Sequence, residues 1–567
     1  MAVQIVWFKR DLRVHDHAPL AAAARAGMVL PLYIIEPSLW QQPDSAAQHW
    51  GFIRESLIEL DAALRATGLP HAGLRVVIGE AVEVLEAVRQ QIRIGALHAH
   101  EETGNAHTFA RDQAVRRWAR SHGIAVHEAR QFGVIRGLRE RERWLPQREQ
   151  LMAAPTLSWP PPRLSFADWP SPAQTAMDLC QGPIAWRWQT GRWVAGPWPD
   201  ATALGLDPWE PPHRQRGGRR AGHVTLTDFL DGRAAHYRGG ISSPLSAPQA
   251  CSRLSPYLAY GVLSLREVVQ ATRARQQELA ALRNRAEATQ QRRLAAGLRA
   301  FESRLYWHCH FIQKLETEPA LEWQNLHRGY DGLREGDWDP ARFEALRQGR
   351  TGWPLVDACV AWLHDCGWLN FRMRAMLVSV AAYPLWLHWR EVGLWLARLF
   401  LDYEPGIHWP QMQMQSGTTG INATRVYNPI KQALDHDPRG EFVRQWLPVL
   451  RRVPDAWLFE PWRMPPDLQR RCGVRIGVDW PQPVVDLDMA LRAAKARLHA
   501  RRQQPQLRAE ATTLALRHGS RRGMPGATAR DPSTGMERAR APNRSPASRP
   551  AGNRLARTPP QQLGFDW

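Results

Sequence analysis

The segment Ser252-Arg253-Leu254-Ser255 places two hydroxyl side chains and one guanidinium immediately before a predicted helix. Serine hydroxyls and the outward-pointing backbone amides of a turn that enters a helix bind phosphate oxygens, so this segment suits a diphosphate group. Arg253 could add positive charge to the same site, or it could form an ion pair within the fold. The sequence therefore predicts a phosphate-binding turn at this position.

Tryptophan is unusually frequent, with 27 residues in a chain of 567. Indole rings can simply fill a large helical core. An indole can also stack on a nucleobase, form the wall of a site for a planar cofactor, or pass an electron. The abundance of tryptophan is typical of a protein that handles bases or planar redox groups, although no single tryptophan requires such a function.

The chain is strongly basic, since 74 lysine and arginine residues against 54 acidic residues give a net charge of +20. Lysine accounts for very few of the basic residues, at positions 9, 314, 431 and 495. Arginine binds phosphate oxygens through a planar fork, which favours a nucleic acid or another polyanion as partner. The base composition of a genome can also favour arginine, so both explanations remain open.

Cysteine usage and apolar stretches exclude several classes of protein. None of the six cysteines forms a C-x-x-C pair or a Cys-His spacing typical of zinc, so we expect neither a metal site nor a disulfide framework. The first residues run directly into charge, unlike a signal peptide. The longest apolar stretch, residues 375–389, is too short for a membrane span of roughly 20 residues. We therefore expect a cytoplasmic protein without membrane contact, and a monomer.

The elements that must position these residues begin with alternating short apolar runs and amphipathic stretches. This alternation predicts a Rossmann-like parallel α/β sheet with right-handed crossovers, although the G-x-G-x-x-G fingerprint of dinucleotide binding is missing. The strands are predicted at residues 4–8, 29–35, 74–78, 96–99 and 125–127. The helices between them are predicted at residues 18–26, 50–67 and 81–91.

Composition divides the chain into four parts. Residues 1–132 form the predicted α/β domain, and the proline-rich residues 133–220 form an interdomain linker. Helical periodicity dominates residues 221–500, which we predict to be an all-α domain. Residues 501–567 carry thirteen arginines against four acidic residues and are predicted to be a disordered basic tail.

The predicted tail allows more than one role. It could contact nucleic acid nonspecifically through its arginines, or it could have no function of its own. Its last residues, 561–567 (QQLGFDW), could serve as a short docking peptide for a partner protein.

Several motifs follow one another in a recognisable order. They are residues 6–16 (VWFKRDLRVHD), 252–258 (SRLSPYL), 349–358 (GRTGWPLVDA), 367–374 (GWLNFRMR) and 435–448, which ends in RQWLP. In these motifs the chain resembles the photolyase/cryptochrome superfamily over roughly residues 1–500. The resemblance implies an antenna-type α/β domain, a helical FAD-binding domain and light-dependent chemistry.

The resemblance further implies a site that binds FAD in a U-shape, with its phosphates at residues 252–255. Asp402 and Glu404 would face the flavin ring and ribose, with Arg374 paired to Asp402; a purely structural ion pair is the alternative. His408 would lie opposite flavin N5, where a histidine could change its charge with pH. The implied FAD-binding residues are Tyr237, Ser252, Arg253, Leu254, Ser255, Phe301, His308, Arg374, Asp402, Tyr403, Glu404 and His408.

Members of this superfamily that split cyclobutane pyrimidine dimers take the lesion out of UV-damaged DNA into a cavity beside FAD. The resemblance assigns lesion contacts to Trp307 by stacking, to Arg304 in place of a usual glutamic acid, and to Met414 in place of a usual tryptophan. Glu302 could replace the missing acid if the helix register differs. These departures predict a remodelled cavity, and a preference for single-stranded DNA is one form that the remodelling could take.

Two functions other than dimer repair remain open. A cryptochrome-like blue-light photoreceptor without repair activity is favoured by Arg304, His408 and Met412, which replace residues usual in repair enzymes. A flavin-free helical protein that binds nucleic acid is the third possibility. A yellow purified protein with a flavin absorption band would exclude it.

In the same family, a chain of tryptophans reduces FAD in light. Trp389 matches its middle member and Trp338 is a loose match to its outer member, but Met412 occupies the position nearest the flavin. A methionine is poorly suited to electron transfer. Another route is therefore expected, and the candidates to supply it are Trp409, Trp386 and Trp368. Slow photoreduction is the alternative.

The antenna chromophore stays undetermined. Thr108 occupies a position where a glutamate often contacts folate in the family. We therefore predict no particular antenna, and the sheet could serve only as a structural platform.

Overall fold

The structure is a computed structural model that describes residues 2–169, 183–281, 288–422 and 426–519. The predicted docking peptide and all of the predicted tail beyond residue 519 lie outside the described residues. Within them, a sheet with flanking helices is followed by a helical body. The predicted combination of an α/β domain and an all-α domain is confirmed.

The N-terminal domain is built on a parallel sheet. Its strands are β1 Val3–Phe8, β2 Val29–Ile35, β3 Arg75–Ile78, β4 Ile94–His100 and β5 Ala125–Ala129. They pair in parallel in the spatial order β5-β4-β1-β2-β3. Every residue of β1 and β2 is buried, because helices cover both faces of such a sheet. The surrounding helices are α1 Ala18–Ala26, α2 Pro37–Trp40, α3 Ala47–Arg65, α4 Ala81–Gln91 and α5 Ala106–Ser121.

The predicted linker at residues 133–220 contributes to the same sheet, which corrects its description as a connection only. Its regular elements are α6 Trp144–Ala153, β6 Ile184–Gln189 and β7 Arg192–Pro197. The two strands form an antiparallel hairpin, and Trp186 of β6 pairs in parallel with β3. Its turn residues Thr190 and Gly191 have φ angles of 48° and 80°, which tight hairpins require. The many prolines nearby obscured this signal.

The helical body consists mainly of helices of 4 to 17 residues packed around one of 30. In chain order they are α7 Arg219–Asp231, α8 Tyr237–Gly240, α9 Ala247–Ala250, α10 Ser255–Ala259, α11 Leu265–Ala281, α12 Ala288–Thr317, α13 Pro340–Arg347, α14 Pro354–Cys366, α15 Phe371–Ala382, α16 Trp389–Leu399, α17 Pro405–Ser416, α18 Pro429–His436, α19 Glu441–Trp446, α20 Asp455–Leu458, α21 Pro466–Cys472, α22 Leu487–Arg502 and α23 Pro505–His518. Helix α17 packs against α12, α15 and α16. Among the described helices, none has both the length and the apolar character needed to cross a bilayer.

Side chains of the opening motif join the two domains. Arg10 donates a hydrogen bond from Nη2 to the carbonyl oxygen of Tyr403 at 2.7 Å. Arg13 donates from Nη1 to the carbonyl oxygen of Gly261 at 2.8 Å. Asp16 accepts hydrogen bonds from two side chains near the start of α11. The N-terminal domain therefore fixes loops of the helical domain, including the loop that carries the predicted flavin-facing acids.

Helix α23 corrects the predicted start of the disordered tail at residue 501. Leu507 and Leu514 of this helix are buried in the core of the helical domain. His327 donates a hydrogen bond from Nε2 to the carbonyl oxygen of Leu507 at 2.8 Å. The seven-residue spacing of the two leucines puts them on one helical face, but the polar composition around them masked this pattern.

Candidate functional site

One cavity of about 310 Å³ lies between α10, α12, α15 and α17. All of the residues predicted to bind FAD, from Tyr237 to His408, lie in its wall. Its volume falls within the range of about 300–1,000 Å³ that is typical of ligand sites. Residues that the sequence analysis did not assign to FAD also line it, among them Gln411 and Gln415 of α17. The motifs at residues 252–258 and 367–374 thus meet in a single site with the acids Asp402 and Glu404.

The predicted phosphate-binding turn forms part of this wall. Arg253 has a left-handed backbone with a φ of 60°, and α10 begins at Ser255. The guanidinium carbon of Arg253 lies 3.9 Å from the ring centroid of Trp368, and its Nε donates to Gln215 Oε1 at 3.1 Å. Burial lowers the pKa of Arg253, and no carboxylate of the described residues pairs with it within 4.0 Å. A bound anion would neutralise this cation, which favours phosphate binding over an internal ion pair.

Arg374 and Asp402 form the predicted ion pair. The carboxylate accepts hydrogen bonds from Nη1 and Nη2 of Arg374 at 2.9 Å each. Burial would raise the pKa of Asp402, but the charge and hydrogen bonds of Arg374 hold it below its usual value. Burial raises the pKa of Glu404, whose carboxylate lies 3.4 Å from Arg10 of the N-terminal domain. Asp402 is therefore ionised at neutral pH without being an unpaired buried charge.

His408 is held as a neutral ring, which differs from the expectation that it changes its charge with pH. Its Nε2–H donates a hydrogen bond to the carbonyl oxygen of Gly393 at 2.9 Å. Burial lowers the pKa of His408 to about 4, and the positive charge of Arg374 contributes to the same effect. The ring therefore stays neutral throughout the physiological range, and the other ring nitrogen, Nδ1, is an acceptor.

Several buried polar atoms of the cavity residues have no hydrogen-bond partner among the described residues. They include His308 Nδ1, Asn370 Oδ1 and Gln415 Oε1. Unsatisfied buried polar atoms destabilise a fold, so their concentration in one cavity points to a polar ligand. FAD offers a diphosphate for the Arg253 region and ring amides and sugar hydroxyls for these atoms. The residues present therefore fit this cofactor.

Two of the three predicted lesion contacts, Arg304 and Trp307 of α12, lie in the cavity wall. Arg304 shares a hydrogen bond with Tyr237, one of the predicted FAD-binding residues. Glu302 accepts a hydrogen bond from Arg273 at 2.7 Å and does not line the cavity. Residues that are two positions apart on a helix point about 200° apart around its axis, so Glu302 and Arg304 face different directions. The alternative in which Glu302 replaces the missing acid is therefore wrong.

Met414 does not lie in the cavity wall, which corrects its predicted contact with the lesion. The residues of α17 that line the cavity are His408, Ile407, Gln411, Met412 and Gln415. They repeat at the three- and four-residue spacing of one helical face. Met414 stands at the border of this face, seven residues after Ile407, and it is buried but is not among the wall residues. Met412, identified as the replacement for a flavin-proximal tryptophan, is the methionine in the wall.

The two predicted electron-transfer residues lie away from the cavity wall. Trp389 is buried, and its ring centroid lies 5.9 Å from that of Trp409. Trp409 in turn lies 4.9 Å from His408, which lines the cavity. Trp338 makes no ring contact with Trp389 among the contacts that the described residues form. The pair Trp409 and Trp389 thus approaches the cavity through His408.

A second series of tryptophans begins in the cavity wall itself. Trp368 lines the cavity, its ring centroid lies 5.5 Å from that of Trp362, and Trp362 lies 6.4 Å from the partly exposed Trp446. Trp368 was among the predicted candidates, whereas Trp362 and Trp446 carry no signal of this role in the sequence, because only the packing of α14 against α19 brings them together. The guanidinium carbons of Arg334 and Arg497 lie 4.6 and 4.8 Å from the ring centroid of Trp386. These two positive charges disfavour a radical cation on Trp386.

A smaller cavity of about 90 Å³ lies between the domains. Its wall contains an ion-pair network in which Arg111 binds Glu36 at 2.7 Å and Glu102 at 2.5 Å. Thr108 is in the same wall. This volume is well below the range of about 300–1,000 Å³ for ligand sites, so the cavity adds no support for a particular antenna chromophore.

Comparison with known proteins agrees with this site. Residues 4–134 match the family model described as DNA photolyase, and residues 301–500 match the model described as the FAD binding domain of DNA photolyase. The match to the second model covers α12, α15 and α17, which carry much of the cavity wall. Together with the fit of the cavity residues, this match establishes FAD as the cofactor of the chain.

Whole-chain relatives include both repair enzymes and photoreceptors. A deoxyribodipyrimidine photo-lyase of Streptomyces griseus is 30% identical over 86% of this chain and 97% of its own length. A cryptochrome DASH of Gloeobacter violaceus is 29% identical over 89% of this chain and 99% of its own. The crystal structure of a class III photolyase from Agrobacterium tumefaciens superposes with a TM-score of 0.70 and 25% identity, covering 89% of this chain and 98% of that one. The chain therefore belongs to the photolyase/cryptochrome superfamily.

Proposed function

We propose that this protein uses light to split cyclobutane pyrimidine dimers in DNA. The observation that carries the proposal is the cavity in which Arg304 and Trp307 stand beside the FAD-binding residues. Arg304 and Phe371 are only partly buried, so this part of the wall is accessible from solvent. A flipped dimer needs such an opening next to the cofactor.

Bound, reduced FAD would supply the electron that opens the cyclobutane ring and would take it back afterwards. The chain's own residues hold the dimer in position and exclude water. Trp307 offers an aromatic face on which a thymine can stack. Arg304 places a fixed positive charge where negative charge develops transiently on the dimer, and a preorganised charge of this kind lowers the barrier to ring opening. Arg304 thereby takes over the task of the usual glutamic acid.

The excess of arginine supports DNA as the partner, through contacts with backbone phosphates. We expect binding to weaken steeply as salt concentration rises, since neutralised phosphates release counterions. Cytoplasmic action, a monomeric state, a preference for single strands and docking of a partner at residues 561–567 stay predictions.

A blue-light photoreceptor without repair activity is the second candidate. It is favoured by Met412 in the cavity wall and by the presence of cryptochromes among the relatives, such as cryptochrome-1 of Arabidopsis thaliana at 29% identity. A photoreceptor needs FAD but does not need a lesion contact at Arg304. The two candidates therefore differ in what a substitution at this position does.

The test is repair of dimer-containing oligothymidylate by the reduced FAD-bound protein under blue light, followed by recovery of thymine absorbance. We expect recovery with the natural protein, on single or double strands. Arg304→Ala should lower the repair yield by about a hundredfold, the lower limit of the loss that follows removal of one electrostatic contact to a developing charge. Arg304→Lys should restore part of the yield, because it keeps the charge.

Arg347→Ala is the matched control, since Arg347 is exposed and paired with Glu344 on the surface. It should leave the yield unchanged. No recovery by the natural protein on either kind of strand would reject repair and leave the photoreceptor. Equal repair by the natural protein and Arg304→Ala would reject the role of Arg304 while keeping the enzyme.

A further inference from the structure

A third cavity, of about 710 Å³, lies between residues 138–142, the end of α12 and α23. It uses a different face of α12 from the FAD cavity, because His310, Gln313, Lys314 and Thr317 line it. The basic residues in its wall are Arg139, Arg141, His310, Lys314, Arg517 and His518. None of them belongs to the FAD-binding set.

Lys314 is the most unusual member of this wall. Only 7% of its surface is exposed, and no oxygen of the described residues accepts a hydrogen bond from its Nζ or pairs with it within 4.0 Å. The contact that Nζ makes is with the ring of Phe311, 5.3 Å from its centroid. Burial lowers the pKa of Lys314 to about 8, and the charge of Arg141 adds to this effect. At neutral pH the side chain is thus mostly charged, and a buried charge without a counter-ion is unstable.

The two histidines of the wall, His310 and His518, neither balance nor add to the positive charge of Lys314. Burial lowers the pKa of His310 well below its usual value and that of His518 to about 3, and Lys314 adds to both shifts. Both rings are therefore neutral at physiological pH. His310 Nδ1 accepts a hydrogen bond from Arg141 Nη2 at 2.5 Å, so the ring carries its proton on Nε2. His518 Nε2 is buried and has no hydrogen bond within the described residues.

The acidic residues around the cavity are engaged elsewhere or exposed. Glu140 pairs with Arg143 at 2.6 Å, and Glu318 pairs with Arg517 at 2.8 Å. Glu142 is exposed at the rim. None of these carboxylates lies within 4.0 Å of the Lys314 ammonium. Glu140 and Glu142 line the cavity but are exposed, and neither pairs with Lys314. The cavity therefore has a buried cation with donors around it and no carboxylate of the described residues within 4.0 Å of that cation.

We propose that this cavity binds a small phosphate-bearing anion through Lys314, supported by Arg141 and His310. The volume is ample for a phosphate monoester, and the burial of Lys314 keeps it out of reach of a DNA backbone. Because residues 138–142, α12 and α23 all contribute to the wall, the anion also fastens α23 to the rest of the domain. The site is independent of the repair reaction.

The test measures phosphate binding to the FAD-bound full chain by calorimetry, with chloride at equal ionic strength as the reference. Lys314→Met removes the charge and keeps the side-chain length, and it should weaken binding by about tenfold to hundredfold, as loss of a hydrogen bond between charged groups does. Lys431→Met is the control, because Lys431 is exposed and paired with Asp435, and it should bind like the natural protein. Adenosine monophosphate in place of phosphate shows whether a larger ester enters.

Hydrogen exchange of the amides of α23 in the natural protein keeps the test independent of how the variant folds. Inorganic phosphate should slow this exchange. Unchanged exchange, or equal phosphate affinity in the natural protein and Lys314→Met, would overturn the proposal. So would slower exchange with a single-stranded oligonucleotide but not with phosphate, since the site would then belong to nucleic acid.

Discussion

Replacement of Asp402 by asparagine would test the ion pair on which the FAD cavity depends. Asp402→Asn keeps the shape of the side chain but leaves the charge of Arg374 without a partner. The Asp402 side chain is 5% exposed and that of Arg374 is 21% exposed, so the pair is largely withdrawn from water. Removing one member of a buried pair destabilises a protein by about 3–5 kcal/mol.

The partial exposure of Arg374 places the expected loss at the lower limit of this range. A loss of about 3 kcal/mol corresponds to a change of roughly 150-fold in an equilibrium constant. Asp435→Asn is the matched control, because it breaks the pair with Lys431 on the surface of α18. An exposed pair at this spacing contributes about 0.3–0.5 kcal/mol.

The assay is urea unfolding of the FAD-bound protein, followed by the fluorescence of released flavin. We expect Asp402→Asn to release FAD at a much lower urea concentration than the natural protein, and Asp435→Asn to behave almost as the natural protein does. Arg374→Met combined with Asp402→Asn should recover part of the loss, because it removes the unpaired charge. Similar midpoints for Asp402→Asn and Asp435→Asn would refute the reasoning.

The same pair predicts acid sensitivity. The pKa of Asp402 is lower in the folded protein than its ordinary value of 3.8. A carboxyl group with a lowered pKa stabilises the folded state fully at pH values above its pKa in the unfolded chain. This contribution is lost as the pH falls through its pKa in the folded protein. The difference in stability between the natural protein and Asp402→Asn should therefore shrink below about pH 4. A difference that stays constant on acidification would contradict this assignment.

Three further outcomes can be checked spectroscopically or by repair assay. Trp368→Phe and Trp362→Phe should each slow light-driven bleaching of bound FAD, whereas Trp338→Phe should not; an unchanged rate in the first two would exclude that route. Because the pKa of His408 is about 4, the bleaching should stay constant from about pH 6 to about pH 8. An inflection near the ordinary histidine pKa would show that the ring titrates. Glu302→Gln should leave the yield of dimer repair unchanged, since its carboxylate binds Arg273 outside the cavity; a reduced yield would return it to the site.

Much of the architecture could be predicted from local patterns. The five short runs became the five parallel strands of the sheet, and the three helices predicted between them, at residues 18–26, 50–67 and 81–91, formed close to those bounds. The hairpin β6–β7 was missed because proline-rich flanks made its alternation look like a connection. Helix α23 was missed for a similar reason, since only two leucines mark its buried face.

Site residues that belong to sequence motifs could be predicted. Properties of the site that depend on side-chain packing could not. The motif around Arg253 and the acids at Asp402 and Glu404 do meet in one cavity. Met414 was assigned by position along α17, but the direction of a side chain depends on helix rotation, which places Met412 in the wall instead. The neutrality of His408 and the surroundings of Lys314 follow from burial, which a single sequence does not display.

The hydrogen bonds of Arg10 and Arg13 to the helical domain determine whether the two domains can be produced as separate polypeptides. At Gly261, an added Cβ would lie 2.2 Å from the carbonyl oxygen of Arg10, so the two segments touch backbone to backbone. A fragment starting at residue 221 would lose this support beneath Tyr403 and Glu404. We expect such a fragment to be recovered with flavin only when the N-terminal half is co-expressed as a separate polypeptide, because the two halves complete one another's loops.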